Sequence, residues 1–371
     1  MTGLWQDLAV ASSTHDGDEA ASRDGVRRPS RARLVGLDVA RAAAILGMLA
    51  VNVGPGDGSG PAAWVTRAAH GRASILFVLL AGVGLTLLTR RALEGGPSRR
   101  ATLFWRAGVL LAIGLVLQVL DHDVSVILPT YAALFVLAAA LVRAPDRLLL
   151  GGAAGVTVAG PVLWILLQRG GEFDRAPASL ADSPFEILAS VVATGPYPLV
   201  TWSAPFLFGM WLGRRDLRDR RLVSRLLVLG AVGAVGGMVT SRVLVRFTGQ
   251  PGEVVGLDRL VSAVAHSQMP LWLISGTGSA LAVLAALVLL TPHLKRFSRP
   301  LVALGQLSLT VYVAHLVVLS TVVRPGPWTP EDGLLITAVI GVAATIGATM
   351  WRSAFNRGPL EATLRLPRSA G

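Results

Sequence analysis

Ten apolar blocks, each close to the length of a bilayer crossing, constrain this chain more than any other feature. They fall at about 34–53, 74–90, 103–120, 124–142, 148–167, 198–213, 223–241, 270–290, 301–323 and 332–351. A helix needs about 20 mainly apolar residues to cross the hydrocarbon core. The block at 198–213 is short and opens on Pro198, which predicts a broken or tilted segment. Mean hydropathy is +0.60. Charged residues make up 15% of the 371 residues, well below the usual share of a soluble domain. The expected fold is all-α, a polytopic membrane helix bundle of about ten transmembrane helices in contact with lipid. The 41 glycines let helices approach closely in lipid.

The formal net charge is +12, yet the charges lie at the ends of apolar blocks. That argues against a nucleic-acid partner, which needs a basic soluble face. With no cysteine, disulfides and thiol nucleophiles are excluded. No H-E-x-x-H or comparable ligand spacing occurs, so no metal is expected. Residues 1–32 are polar and small, without the apolar stretch of a cleaved signal, and read as a disordered cytoplasmic tail. Residues 33–366 form the membrane domain, and 367–371 a second short tail.

Ten crossings put both termini on one side. With the N-terminus inside, 25 of the 34 Lys and Arg fall on inner segments and 8 on outer ones, with Arg41 within the first block. This follows the positive-inside rule and predicts cytoplasmic termini. The densest inner cluster surrounds Arg214 and Arg215. It reads as a topology anchor beside anionic lipid or as a site for a nucleotide-bearing donor. Outside, "SPFE" at 183–186 reads as the capped start of a short amphipathic surface helix.

Ionisable groups inside a span are costly and need a partner or an aqueous cavity. Asp38 and Arg41 share one face of the first block, as a salt bridge or as part of a donor site. Asn52 ends the same block and either bonds to a neighbouring helix or faces a cavity. Asp121-His122-Asp123 reads as an outer turn, with a carboxylate-oriented histidine base or a metal site as the alternatives. Ser308, Tyr312 and His315 share a face of the ninth block. They form a buried network or line a substrate path. His70, Arg72, His122, Tyr197, His266 and His315 all fall at or just below the expected outer surface. Their common side predicts an outward-opening polar cavity.

Several stretches carry a family likeness. "RLVGLDVARAAAILGMLAVNVG", "GRASILFVLLAGVGLTLLTRR", "VILPTYAALFVLAAALV", "VALGQLSLTVYVAHLV" and "FNRGPLEATLR" resemble YeiB-like bacterial integral membrane proteins of the transmembrane acyltransferase superfamily, to which heparan-alpha-glucosaminide N-acetyltransferase is related. The resemblance covers about 33–366, and "GPLE" at 358–361 is its most specific mark. It implies a bacterial cell-membrane enzyme that takes an acyl group from cytosolic acyl-coenzyme A, a co-substrate and not a tightly bound cofactor. The acceptor is a hydroxyl or amine at the outer side, on a small molecule, glycan or lipid. A homodimer is compatible with the resemblance.

In that scheme His315 or His266, then His70, is the base, since a free imidazole titrates near pH 6.5. Arg72 and Tyr312 stabilise the oxyanion. Asp38, Arg41, Arg214 and Arg215 bind the donor. The competing readings are a transporter or flippase of a lipid-linked or amphipathic solute and a noncatalytic membrane scaffold or sensor.

Overall fold

A computed structural model describes residues 34–54, 59–91, 99–168, 176–252, 254–294 and 298–365. The expected tails at 1–32 and 367–371 lie outside the described residues. Every regular element among them is helical. In chain order these are α1 (Val35–Val53), α2 (Pro61–Ala69), α3 (Arg72–Arg91), α4 (Arg99–Leu117), α5 (Leu128–Leu141), α6 (Asp146–Gln168) and α7 (Pro184–Ala189). Then follow α8 (Leu199–Leu212), α9 (Arg220–Thr248), α10 (Pro270–Leu290), α11 (Ser298–Gln306), α12 (Ser308–Val318), α13 (Pro330–Ala354) and α14 (Pro359–Thr363).

Every one of the ten apolar blocks is helical, but they are not equivalent. Among the described residues, seven helical segments are long and apolar enough to cross a membrane, and α11 with α12 makes an eighth if the bent pair is one span. The other two, α5 and α8, have 14 residues each. At 1.5 Å per residue that is about 21 Å, short of a hydrocarbon core of about 30 Å. Both are apolar on all sides and largely buried, α8 from Thr201 through Phe206 without interruption. They pack within the bundle, α5 along α4 and α8 between α3 and α6. The long helices α9 and α13 instead expose rows of Val, Leu and Ile, as lipid-facing helices do.

Helix α1 runs through the centre of the bundle, against α3, α10, α11, α12 and α13. Its buried Ala40, Ala42 and Ala44 let these neighbours come close. Helices α3 and α8 approach closely. A Cβ on Gly82 would lie 2.3 Å from the Phe206 carbonyl oxygen, and one on Gly209 2.2 Å from that of Leu79. Two glycines therefore face each other's backbone, and neither backbone can yield. Gly82→Ala is expected to destabilise the chain by about 2 kcal/mol through overpacking, read as a lower thermal midpoint in detergent.

The ninth block is broken. Leu307 separates α11 from α12 with a bend of 81°. The break exposes the first-turn N–H groups of α12, which no preceding turn can satisfy. A carboxylate from the far end of the chain fills that role. Glu361 accepts from Leu309 N at 2.8 Å, Thr310 N at 3.0 Å and the Thr310 hydroxyl at 2.6 Å. The "GPLE" stretch thereby has a structural meaning. Pro359 starts α14, and a Cβ on Gly358 would collide with the Glu361 carboxylate as it folds back.

The short surface helix is present as expected. Ser183 and Glu186 form a reciprocal capping box at the start of α7. Phe185 and Leu188 are exposed on it.

Candidate functional site

The site lies where α1 ends and α3 begins. A cavity of about 490 Å³ opens there. Its walls come from Asn52 and Gly54 at the end of α1, His70, the Asp123–Ser125 turn, Tyr197, His266 and the Arg324–Pro327 loop.

His70 and His266 meet in it, with ring centroids 5.4 Å apart and edge to face. Each is delivered by an unusual stretch of backbone. Gly71 turns α2 into α3 at φ +70°, and a Cβ there would press on His266 and Trp272. His266 has φ 58° and Gln268 φ 67°, a left-handed region that costs non-glycine residues energy. Gln268 holds this loop. It is fully buried, its Oε1 accepts from the Thr201 hydroxyl and the Trp202 indole at 2.9 Å each, and its amide donates to the Pro196 carbonyl at 3.1 Å. Tyr197, Trp202 and Trp272 then surround the His266 ring at centroid distances of 5.5, 5.8 and 5.7 Å.

Burial pushes the Tyr197 phenol up to about 12, partly opposed by its bond to Ser74. It is therefore a neutral hydrogen-bond donor at pH 7.

Residues 124–351 match the acyltransferase domain family. The chain belongs to this family. Acyl transfer is accordingly its activity class. No curated protein matches the sequence. The matched region of this acyltransferase holds His266, Tyr312, His315 and Arg324. Asp38, Arg41, Asn52, His70 and Arg72 come from the helices before it, so the cavity is built across the edge of the matched region.

Below the cavity the acyltransferase continues as a buried polar layer. His315 is not on the cavity wall but reaches it through Asn52. The Asn52 amide lies 3.0 Å from His315 Nε2, and His315 Nδ1 lies 3.3 Å from the Val311 carbonyl. A carbonyl only accepts, so Nδ1 carries the proton and Nε2 accepts from Asn52. Tyr312 packs edge-on to His315 at 5.2 Å, and its hydroxyl accepts from Ile127 N at 3.3 Å. Deeper still, Arg41 donates to Asp38 at 2.9 Å, as their spacing predicted, and Gln306 at the helix break lies 3.5 Å from the same carboxylate.

Other expected residues sit elsewhere. The Arg72 guanidinium is directed at α9 and α10, where it donates to Ser279 at 3.1 Å, Ser275 at 3.5 Å and the Met238 sulfur at 2.9 Å. These bonds turn it away from the cavity. At the opposite end of the chain's crossings, Arg214 and Arg215 both pair with Asp146, and Arg215 also lies over the Trp211 ring. His122 is a turn residue. Its Nε2 donates to the Leu117 carbonyl and its Nδ1 accepts from Val124 N, each at 3.0 Å. With both ring nitrogens engaged and burial holding its pKa below the usual imidazole range, it serves the turn and not proton transfer.

Arg324 is the main residue that sequence reasoning left unassigned. Its guanidinium bonds to the carbonyls of Asn52 at 2.8 Å, Gly326 at 2.9 Å and His122 at 3.1 Å, and pairs with Asp123 at 3.4 Å. It closes the carbonyl end of α1, where a cation is favoured, and fixes the residue that contacts His315. The available signal was a single basic residue in the short "VVRPGPW" loop.

Proposed function

We propose that this acyltransferase moves an acyl group from acyl-coenzyme A on the inner side to a hydroxyl or amine acceptor held in the outer cavity. The observation that carries the reading is the meeting of His70 and His266 in that cavity, with His315 joined to it through Asn52.

His266 takes the acceptor proton, with the His70 ring set against it. His315 acts through Asn52, fixing its amide by the bond at Nε2. Tyr312 carries a hydroxyl that supports charge developing on the acyl carbonyl, since among the described residues it accepts from Ile127 and donates to no protein group. Arg72 is assigned to holding α3 against α9 and α10 rather than to the oxyanion. Asp38 and Arg41 order the pantetheine arm in the inner half of the protein. Arg214 and Arg215 meet the donor phosphates, exchanging part of their pairing with Asp146 for the stronger anion. The termini lie on the cytoplasmic side in this arrangement.

The chain in nanodiscs is expected to bind acetyl-coenzyme A saturably and in preference to an unrelated nucleotide. Arg214→Ala with Arg215→Ala is expected to weaken that binding about tenfold, at roughly 0.7 kcal/mol for each phosphate contact. Transport of an intact solute with no thioester consumed would overturn the reading in favour of a transporter.

A further inference from the structure

One buried group stands out beneath the cavity. The Tyr131 side chain, on the first turn of α5, is 5% exposed. Among the described residues its hydroxyl has no hydrogen-bond partner. A buried hydroxyl without a partner forfeits its hydration and gains nothing in return, so phenylalanine would be the more stable residue.

Its position is defined from several sides. The preceding Thr130 hydroxyl donates to the Tyr197 carbonyl at 2.7 Å, which ties this turn to the cavity wall. One turn earlier, Ile127 N donates to the Tyr312 hydroxyl. Phe77 packs against both rings, 5.3 Å from Tyr131 and 6.5 Å from Tyr312. Tyr131 therefore lies beneath the cavity wall that Tyr197 contributes and shares Phe77 with Tyr312, on the course assigned to the acyl donor.

We propose that the Tyr131 hydroxyl is a substrate contact, donating a hydrogen bond to the thioester carbonyl of the acyl donor. The proposal rests on the donor reading above. In the reaction the acceptor oxygen or nitrogen forms a bond to the carbonyl carbon. The carbonyl oxygen takes up negative charge, which the Tyr131 O–H supports. The carbon–sulfur bond then breaks and the thiolate of coenzyme A leaves. The acceptor proton passes to His266 and from there to the thiolate, so no oxidant or reductant is involved. A donor group preorganised for an oxygen that arrives with the substrate is unpaired in the empty protein for that reason.

The test compares two ligands on the full chain in nanodiscs: acetyl-coenzyme A, and S-ethyl-coenzyme A, which lacks the carbonyl. The parent protein is expected to bind the acetyl form about three- to tenfold more tightly, the range of one hydrogen bond. Tyr131→Phe is expected to bind the two alike and to melt at or above the parent temperature. A variant that keeps the parent's preference overturns the proposal, as does a parent that binds both ligands equally while the donor reading survives. A parent that binds neither ligand removes the donor reading and this proposal with it.

Discussion

Replacing His266 with alanine will lower the rate of acyl transfer by about 100-fold or more while leaving acetyl-coenzyme A affinity within about twofold, the pattern of a lost general base. The rate is read as radiolabel passed from acetyl-coenzyme A into acceptor material of membranes that contain the chain. The prediction follows from where the ring is and how it is held. His266 lies in the cavity, against His70, on a backbone of left-handed φ that Gln268 keeps in place. Backbone strain of this kind clusters at functional positions. His315→Ala and Asn52→Ala should each give a smaller loss, of about tenfold, and the two should not add, since each acts through the same bond. Full activity in His266→Ala would move the base to His70 or His315.

Glu361→Ala is expected to cost about 3 kcal/mol of stability, more than any ordinary cap, because the carboxylate satisfies three donors at a helix start. Thermal unfolding in detergent reads this directly. Glu361→Gln keeps an acceptor oxygen without the charge and should lose about half as much. Activity should fall with stability in the alanine variant, since α12 carries both Tyr312 and His315. An unchanged melting temperature would mean that α12 holds its position without the cap.

Local features of this fold were legible in the sequence, and distant ones were not. The Asp38–Arg41 pair and the Ser183–Glu186 capping box follow from spacings of three residues, and both are present. The grouping of His70, Tyr197 and His266 at one cavity was foreshadowed by their common side, which the order of the apolar blocks implies. The equal treatment of ten blocks was less informative. Apolar composition alone does not separate a lipid-exposed span from a short helix buried on every side, and α5 and α8 have the length of the second kind. Arg72 illustrates a different limit. Its place in the chain put it at the cavity mouth, but a helix presents only some of its faces to any one neighbour, and this side chain leaves toward α10. The clamp of Arg324 and the cap of Glu361 depend on partners far away in the chain, which no window of the sequence contains.

The cap has a consequence for the order in which the protein is made. Synthesis proceeds from the N-terminus, so α1, α10 and α12 all leave the ribosome before Glu361 exists. During that interval the break at Leu307 has no carboxylate to close it, and the His315 helix is tied to the bundle through Asn52, Ile127 and its packing. The Trp105 indole, which bonds to the Thr363 carbonyl, likewise waits for the last turn. Synthesis of the α14 segment is therefore the event that caps α12. A product truncated shortly before residue 361 would carry most of its helices and still lack the contact that caps α12.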